Sequence, residues 1–109
     1  MNSQFIGKAT YAYIQDGITA CGTRHNDSEY VVAINRVQFD PYTPNNNPNR
    51  NSLCDRKIEI FGPNGLIEAK IVDRCSSCAY GDLSLSPAVF QVIAGNLSIG
   101  AVPIKWNWY

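Results

Sequence analysis

What this chain has little of narrows its reading first. It has one histidine, one methionine and 17% charged residues, and nine basic side chains offset nine acidic ones, for a formal net charge of zero. A balanced chain carries no electrostatic footprint for nucleic acid or for an anionic membrane surface, so neither is an expected partner. No apolar run approaches the roughly 20 residues of a membrane span. Helical periodicity is scarce as well and occurs in one short segment, which argues against a helical bundle. Met1-Asn2-Ser3-Gln4 lacks a charged segment followed by an apolar one, so no secretory leader is read. The expectation is a mature form with an added start methionine.

What is present points to a small stapled domain. The 109 residues are 45% hydrophobic, enough for one domain around one core, with modest stability in reserve. Four cysteines in so short a chain suggest two disulfides and an oxidising, extracellular compartment. Sequence alone permits three connectivities. Cys75-Ser-Ser-Cys78 has two rival readings, half a zinc site or a redox pair. Zinc needs two further ligands, and Cys21, Cys54 and the lone His25 lie far upstream without a second CxxC. A redox pair should open a helix after a strand, yet Ala79-Tyr80-Gly81 is poor helix. A structural bridge is therefore expected, with no metal and no cofactor.

Strand signals dominate the chain. Gly7–Tyr13 is β-branched and aromatic, with Tyr11 and Tyr13 on one face and Thr10 and Ala12 on the other. Tyr30–Asn35 is nearly all apolar and reads as a strand buried on both faces. Residues 40–52 hold three prolines and five asparagines and read as a surface loop. Lys57–Phe61 and Leu66–Asp73 flank Gly62-Pro63-Asn64-Gly65, a hairpin with a four-residue loop. Ser86 is a good N-cap, Pro87 suits the first helical turn, and Gly95 stops the one helix read here. In the last segment Ile104, Trp106 and Trp108 alternate with Lys105, Asn107 and Tyr109. The expectation is a mainly β fold, a six-stranded barrel with one short helix and two disulfides. Residues 1–6 are expected to be loosely held and 7–109 to form the domain.

These pieces also carry a resemblance. In order they are the GKATYAY opening, Ala20-Cys21-Gly22, YVVAIN, the Asn/Pro loop leading to Cys54, IVDRCSSCAYGDLSLSPAVF and IKWNWY. Together they resemble the expansin-like, barwin-like double-psi β-barrel proteins, and among these the small secreted fungal loosenins. The resemblance implies a double-psi barrel with a shallow groove for extended cell-wall polysaccharide, with Thr10 and Asp73 lining it. Such a protein is secreted and is read as a monomer. The favoured pairing is Cys21–Cys54 with Cys75–Cys78. Relatives usually carry a second acid in the pattern Leu-Asp-Leu-Ser-Pro, where this chain has Leu83-Ser84-Leu85-Ser86-Pro87.

That departure has chemical weight. Cleaving a glycosidic bond by acid catalysis takes a carboxylic acid on the leaving oxygen and ordinarily a second carboxylate across the bond. A serine hydroxyl is too weak an acid for that role, but it donates and accepts hydrogen bonds to sugar hydroxyls. Asp82 lies two residues earlier, displaced by about 6–7 Å at strand rise, and is no drop-in replacement.

The candidate groove residues are thus Thr10, Tyr11, Asp73, Tyr80, Asp82, Ser84 and Trp106, with no catalytic residue among them. Each has a plainer reading. Asp73 suits a turn or a pair with Arg74 or Arg56. Asp82 suits an acceptor for backbone N–H groups near the helix entry. Thr10 and Tyr11 fit a strand by propensity alone. Aromatics at period two are more often core than ligand-stacking, so one of Trp106 and Trp108 is expected to be buried, and Tyr80 beside Gly81 is the better stacking candidate. His25 reads as a loop residue without an identifiable partner. The leading function is non-hydrolytic binding and loosening of cellulose, chitin or β-glucan. The alternative is a protein ligand, a cysteine-protease inhibitor using loops 40–52 and 76–81. A lytic enzyme acting on peptidoglycan is disfavoured by Ser84.

Overall fold

Six strands close into a barrel in the computed structural model, which describes residues 4–109. They are β1 (Gln4–Tyr11), β2 (Val31–Asn35), β3 (Lys57–Gly62), β4 (Gly65–Cys75), β5 (Leu83–Leu85) and β6 (Val102–Trp108). The order around the barrel is β1-β5-β2-β4-β3-β6. β1 with β5 and β2 with β4 are parallel pairs, and the other four pairs are antiparallel. Closure leaves no sheet edge to pair with another chain.

Inward residues alternate along each strand and meet in one core. Ala9, Val32, Ile34, Ile58, Ile60, Ile71, Leu83, Leu85, Ile104 and Trp106 are all buried there. Helix α2 (Pro87–Ala94) covers this core with Val89, Phe90 and Ile93. It forms as its sequence predicts: the Ser86 side chain caps Val89 N–H, and Gly95 ends it at φ 90°. Both disulfides pair as favoured, Cys21–Cys54 and Cys75–Cys78.

Four sequence expectations need correction. The first strand starts at Gln4, because Gln4, Phe5 and Ile6 pair with Asn107, Trp106 and Lys105. Residues 4–6 are therefore held in the barrel, while 1–3 lie outside the described residues. That strand ends at Tyr11, and the bond from Ala12 N–H to Leu85 O is the last of its parallel ladder with β5. The hairpin loop is two residues, Pro63-Asn64, because Gly62 and Gly65 are themselves paired. A second helix exists, the single turn α1 (Arg36–Phe39), capped by Asn35 accepting from Gln38 N–H. One turn has no periodicity to read.

The Asn/Pro loop is exposed along most of its length, with three 3₁₀ turns that each carry a proline at their first or second position. Its anchor is Asn51, a buried residue whose amide donates to Phe39 O and Thr43 Oγ1 while Leu53 N–H donates to its Oδ1. A buried amide so satisfied is a rigid fixing point.

Candidate functional site

Strand register assembles the site. Thr10 stands opposite Ser84, Ser84 opposite Ala33, and Ala33 opposite Asp73, a row crossing β1, β5, β2 and β4. Their neighbours Ala9, Leu83, Leu85, Val32 and Ile34 point inward, so alternation turns this row outward. All four row residues are half-buried. Asp73 reaches the row through a register shift between Val32 and Ala33: Val32 faces Ile71, Ala33 faces Asp73, and Val72 is bulged out of the pairing. A bulge of this kind re-aims the side chain that follows it.

The loop after β1 walls one side of the row. Ile14 N–H donates to Asp27 Oδ1 at 2.7 Å, and Ala20 N–H donates to Asp73 Oδ1 at 2.8 Å. Arg74 N–H donates to the same carboxylate oxygen at 2.8 Å. Cys21 N–H donates to Val72 O, and its disulfide to Cys54 holds the loop's end against the barrel. Between loop and strand lies a cleft of about 350 Å³, lined by Tyr13, Ile14, Asp16, Ile18, Thr19 and Asp73 among others. A smaller hollow of about 40 Å³ continues it past Ala33, Ser84 and Ser86. The surface therefore offers two carboxylates, Asp16 and Asp73, and several hydroxyls beside apolar walls.

The structure brings together Thr10, Ser84 and Asp73 of the seven candidates. Tyr11 turns to the other face and packs on Phe90 with ring centroids 4.9 Å apart. The exposed aromatic beside the row is instead Tyr13, 70% exposed. Trp106 is a correction: it is fully buried, and its Nε1–H donates to Gly81 O at 2.9 Å, so neither ring face is open to a sugar. Tyr80 is 60% exposed and meets Phe5 edge-on at 6.3 Å. Phe5 is five residues before Thr10 on β1, roughly 17 Å away at strand rise, so Tyr80 stands apart from the row. Asp82 accepts Lys8 N–H at 2.8 Å, which is a backbone-acceptor role, but on β1 rather than at the helix entry.

The segment 81–82 carrying Asp82 is held by a buried polar network. Asn35 Nδ2 donates to Asp82 O and to Gln38 Oε1, and Gly81 N–H donates to Gln38 Oε1. Gly81 takes φ +85°, and a Cβ on Gly7 would sit 2.2 Å from Gly81 O. Only glycine permits that approach.

Charged groups nearby pair away from the row. Arg74 grips Asp40 with two bonds of 2.7 and 2.9 Å, which holds the Asp40 carboxyl below its ordinary range. His25, read from sequence as lacking a partner, has two. Its Nδ1 lies 3.0 Å from Glu29 Oε1 and its Nε2 lies 2.7 Å from Thr23 Oγ1. Asn26 N–H and then His25 lower the Glu29 pKa. This trio braces the loop and lines neither cleft. Among the described residues no group of three metal-ligating side chains converges.

Several residues of the site were not legible in the sequence. Ala33 enters only through strand register. Ile14, Asp16 and Ile18 enter through the loop after β1, which is fastened by hydrogen bonds to Asp27 and Asp73. A larger apolar hollow, about 440 Å³ and lined by Ile6, Phe61, Pro63 and Pro103 among others, contains none of the predicted site residues.

Comparison with known proteins follows this geometry. No protein-family model matches the chain. The papain inhibitor of Streptomyces mobaraensis is 32% identical over 96 residues, which cover 86% of this chain and 64% of that protein. This chain thus spans under two thirds of that curated relative. The solved Streptomyces papain inhibitor superposes with a TM-score of 0.84 at 33% identity, covering 96% of this chain and 93% of that one. An expansin of Clavibacter michiganensis, solved in complex with cellohexaose, superposes at a TM-score of 0.79 with 22% identity, covering 98% of this chain and 50% of its own. At that identity the expansin speaks for the fold alone. With a third of its positions shared across nearly the whole of the solved inhibitor, the chain belongs to the family of the Streptomyces papain inhibitor.

Proposed function

We propose that this is an extracellular, non-lytic protein that binds extended cell-wall polysaccharide along the row Thr10–Ser84–Ala33–Asp73. The single observation that carries the reading is the row itself: two hydroxyls and a carboxylate in register across four strands. Adjacent strands lie about 4.8 Å apart, so the row extends some 14 Å, which suits a few sugar residues rather than a compact ligand. The half-buried hydroxyls of Thr10 and Ser84 exchange hydrogen bonds with sugar hydroxyls, and Tyr13 offers an apolar face to a ring. The expansin neighbour, which holds cellohexaose, supports the same use of this barrel.

The placement of the acids supports binding without cutting. Asp73 is the one carboxylate in the row, Ser84 two strands away supplies no acid, and Asp16 lies on the exposed wall loop rather than across the row. Asp82 already serves Lys8 N–H. Two disulfides fit secretion, and the loosenin-like assignment belongs to this reading. The test is a pull-down of oxidised protein on insoluble cellulose, chitin and fungal β-glucan, with reducing sugar measured in the same supernatants. Binding without sugar release supports the proposal. Sugar release abolished by Asp73→Ala overturns its non-lytic part.

The 33% identity to the solved papain inhibitor favours a second reading, occlusion of a papain-like protease cleft. The loop 40–52 is exposed yet anchored by buried Asn51, as an inhibitory loop needs to be. A papain assay at micromolar protein separates the two: inhibition with no polysaccharide bound moves the assignment to the protease.

A further inference from the structure

We infer that the groove selects a polysaccharide carrying free amino groups, such as de-N-acetylated chitin, over neutral glucan; this rests on the polysaccharide reading above. The charged side chains lining the main cleft are two, Asp16 and Asp73, and both are acids. Its continuation past Ser84 adds no other charged residue.

Among the described residues no cation lines either hollow. The Arg74 guanidinium is committed to Asp40. Lys8 shares the outward face of β1 with Thr10 but lines neither hollow. Asp73 Oδ1 already accepts two N–H groups, and among the described residues nothing occupies Oδ2. That carboxylate oxygen is a free acceptor on a half-buried surface.

A neutral sugar hydroxyl makes an ordinary hydrogen bond there. An ammonium at C2 makes a charge-assisted one, roughly twice as strong. Spaced ammonium groups along the polymer meet Asp73 and then Asp16 in the same cleft. The protein as a whole has no net charge, so a polycation is not drawn to it non-specifically. Selection therefore arises locally, from two carboxylates beside the apolar walls of Tyr13, Ile14 and Ile18.

The experiment is calorimetric titration of the oxidised protein with glucosamine hexamer, N-acetylglucosamine hexamer and cellohexaose, with penta-lysine as a charge control. At low salt the glucosamine hexamer should bind tighter than cellohexaose by on the order of tenfold. Asp73→Asn, which keeps the Oδ1 acceptor, and the exposed Asp16→Asn should each shrink that ratio, and raised salt should do the same. Equal affinity for the three sugars overturns this inference and leaves the groove reading standing. A preference that survives both substitutions, or penta-lysine binding as tightly as the sugar, also overturns it. Binding to none of the sugars overturns the groove reading and this inference together.

Discussion

Asp73 and Ala20, 53 positions apart in sequence, are joined by a 2.8 Å bond from the Ala20 backbone N–H to the Asp73 carboxylate. One side chain thus lines the cleft and fastens the cleft's wall. Asp73→Ala removes the acceptor for two half-buried N–H groups and should cost about 1–3 kcal/mol. Asp73→Asn keeps an oxygen in place and should cost less. Urea denaturation of the two variants checks the order, and equal losses would mean that the bonds contribute nothing.

Hydroxyl loss should affect binding and leave stability nearly unchanged. Thr10→Ala and Ser84→Ala remove outward-facing groups of the row, and each should weaken polysaccharide affinity by about 0.5–1.5 kcal/mol, roughly two- to tenfold. Tyr80→Ala, being distant from the row, should leave affinity unchanged. Depletion isotherms on the preferred polymer would reveal a reversed order.

Trp106 should behave in the opposite way. Its indole is fully buried, packs 4.5 Å from the Phe5 ring and donates to Gly81 O. Trp106→Ala should lose about 3–5 kcal/mol of stability. Trp106→Phe should lose less and leave the affinity of the folded protein intact. A sugar-binding defect in a fully folded Trp106→Phe protein would contradict the buried placement.

Gly7 and Gly17 form an internal contrast. A Cβ at Gly7 collides with Gly81 O at 2.2 Å, whereas at Gly17 nothing lies within 4 Å. Gly7→Ala should lower the melting temperature sharply or prevent folding, and Gly17→Ala should be neutral. Thermal melts of the pair measure this directly.

The two disulfides should differ in worth. Cys21–Cys54 closes a loop with a sequence separation of 33, and Cys75–Cys78 one of 3. By loop entropy their loss should cost about 4 and about 2 kcal/mol respectively. Paired serine substitutions followed by denaturation test the ranking. Loss of the longer bridge should also weaken polysaccharide binding, because it releases the end of the cleft wall.

By itself the sequence determined the local elements. Helix α2 was legible because Ser86, Pro87 and Gly95 act on their own neighbours, and the strands were legible because alternation is a local property. The cysteine count pointed to two disulfides, and both form. Tertiary structure decided what those elements do together. The row at the groove exists only once β5 lies between β1 and β2, and no local signal encodes a register or the bulge at Val72 that turns Asp73 into it. Trp106 looked like Trp108 in sequence, and burial separated them because the Gly81 carbonyl is positioned by a network from Asn35 and Gln38. Ile14, Asp16 and Ile18 became cleft residues through hydrogen bonds to Asp27 and Asp73, which are remote in the chain. Such pairings are set by the packing of the whole barrel, and a reading that proceeds neighbour by neighbour has no access to them.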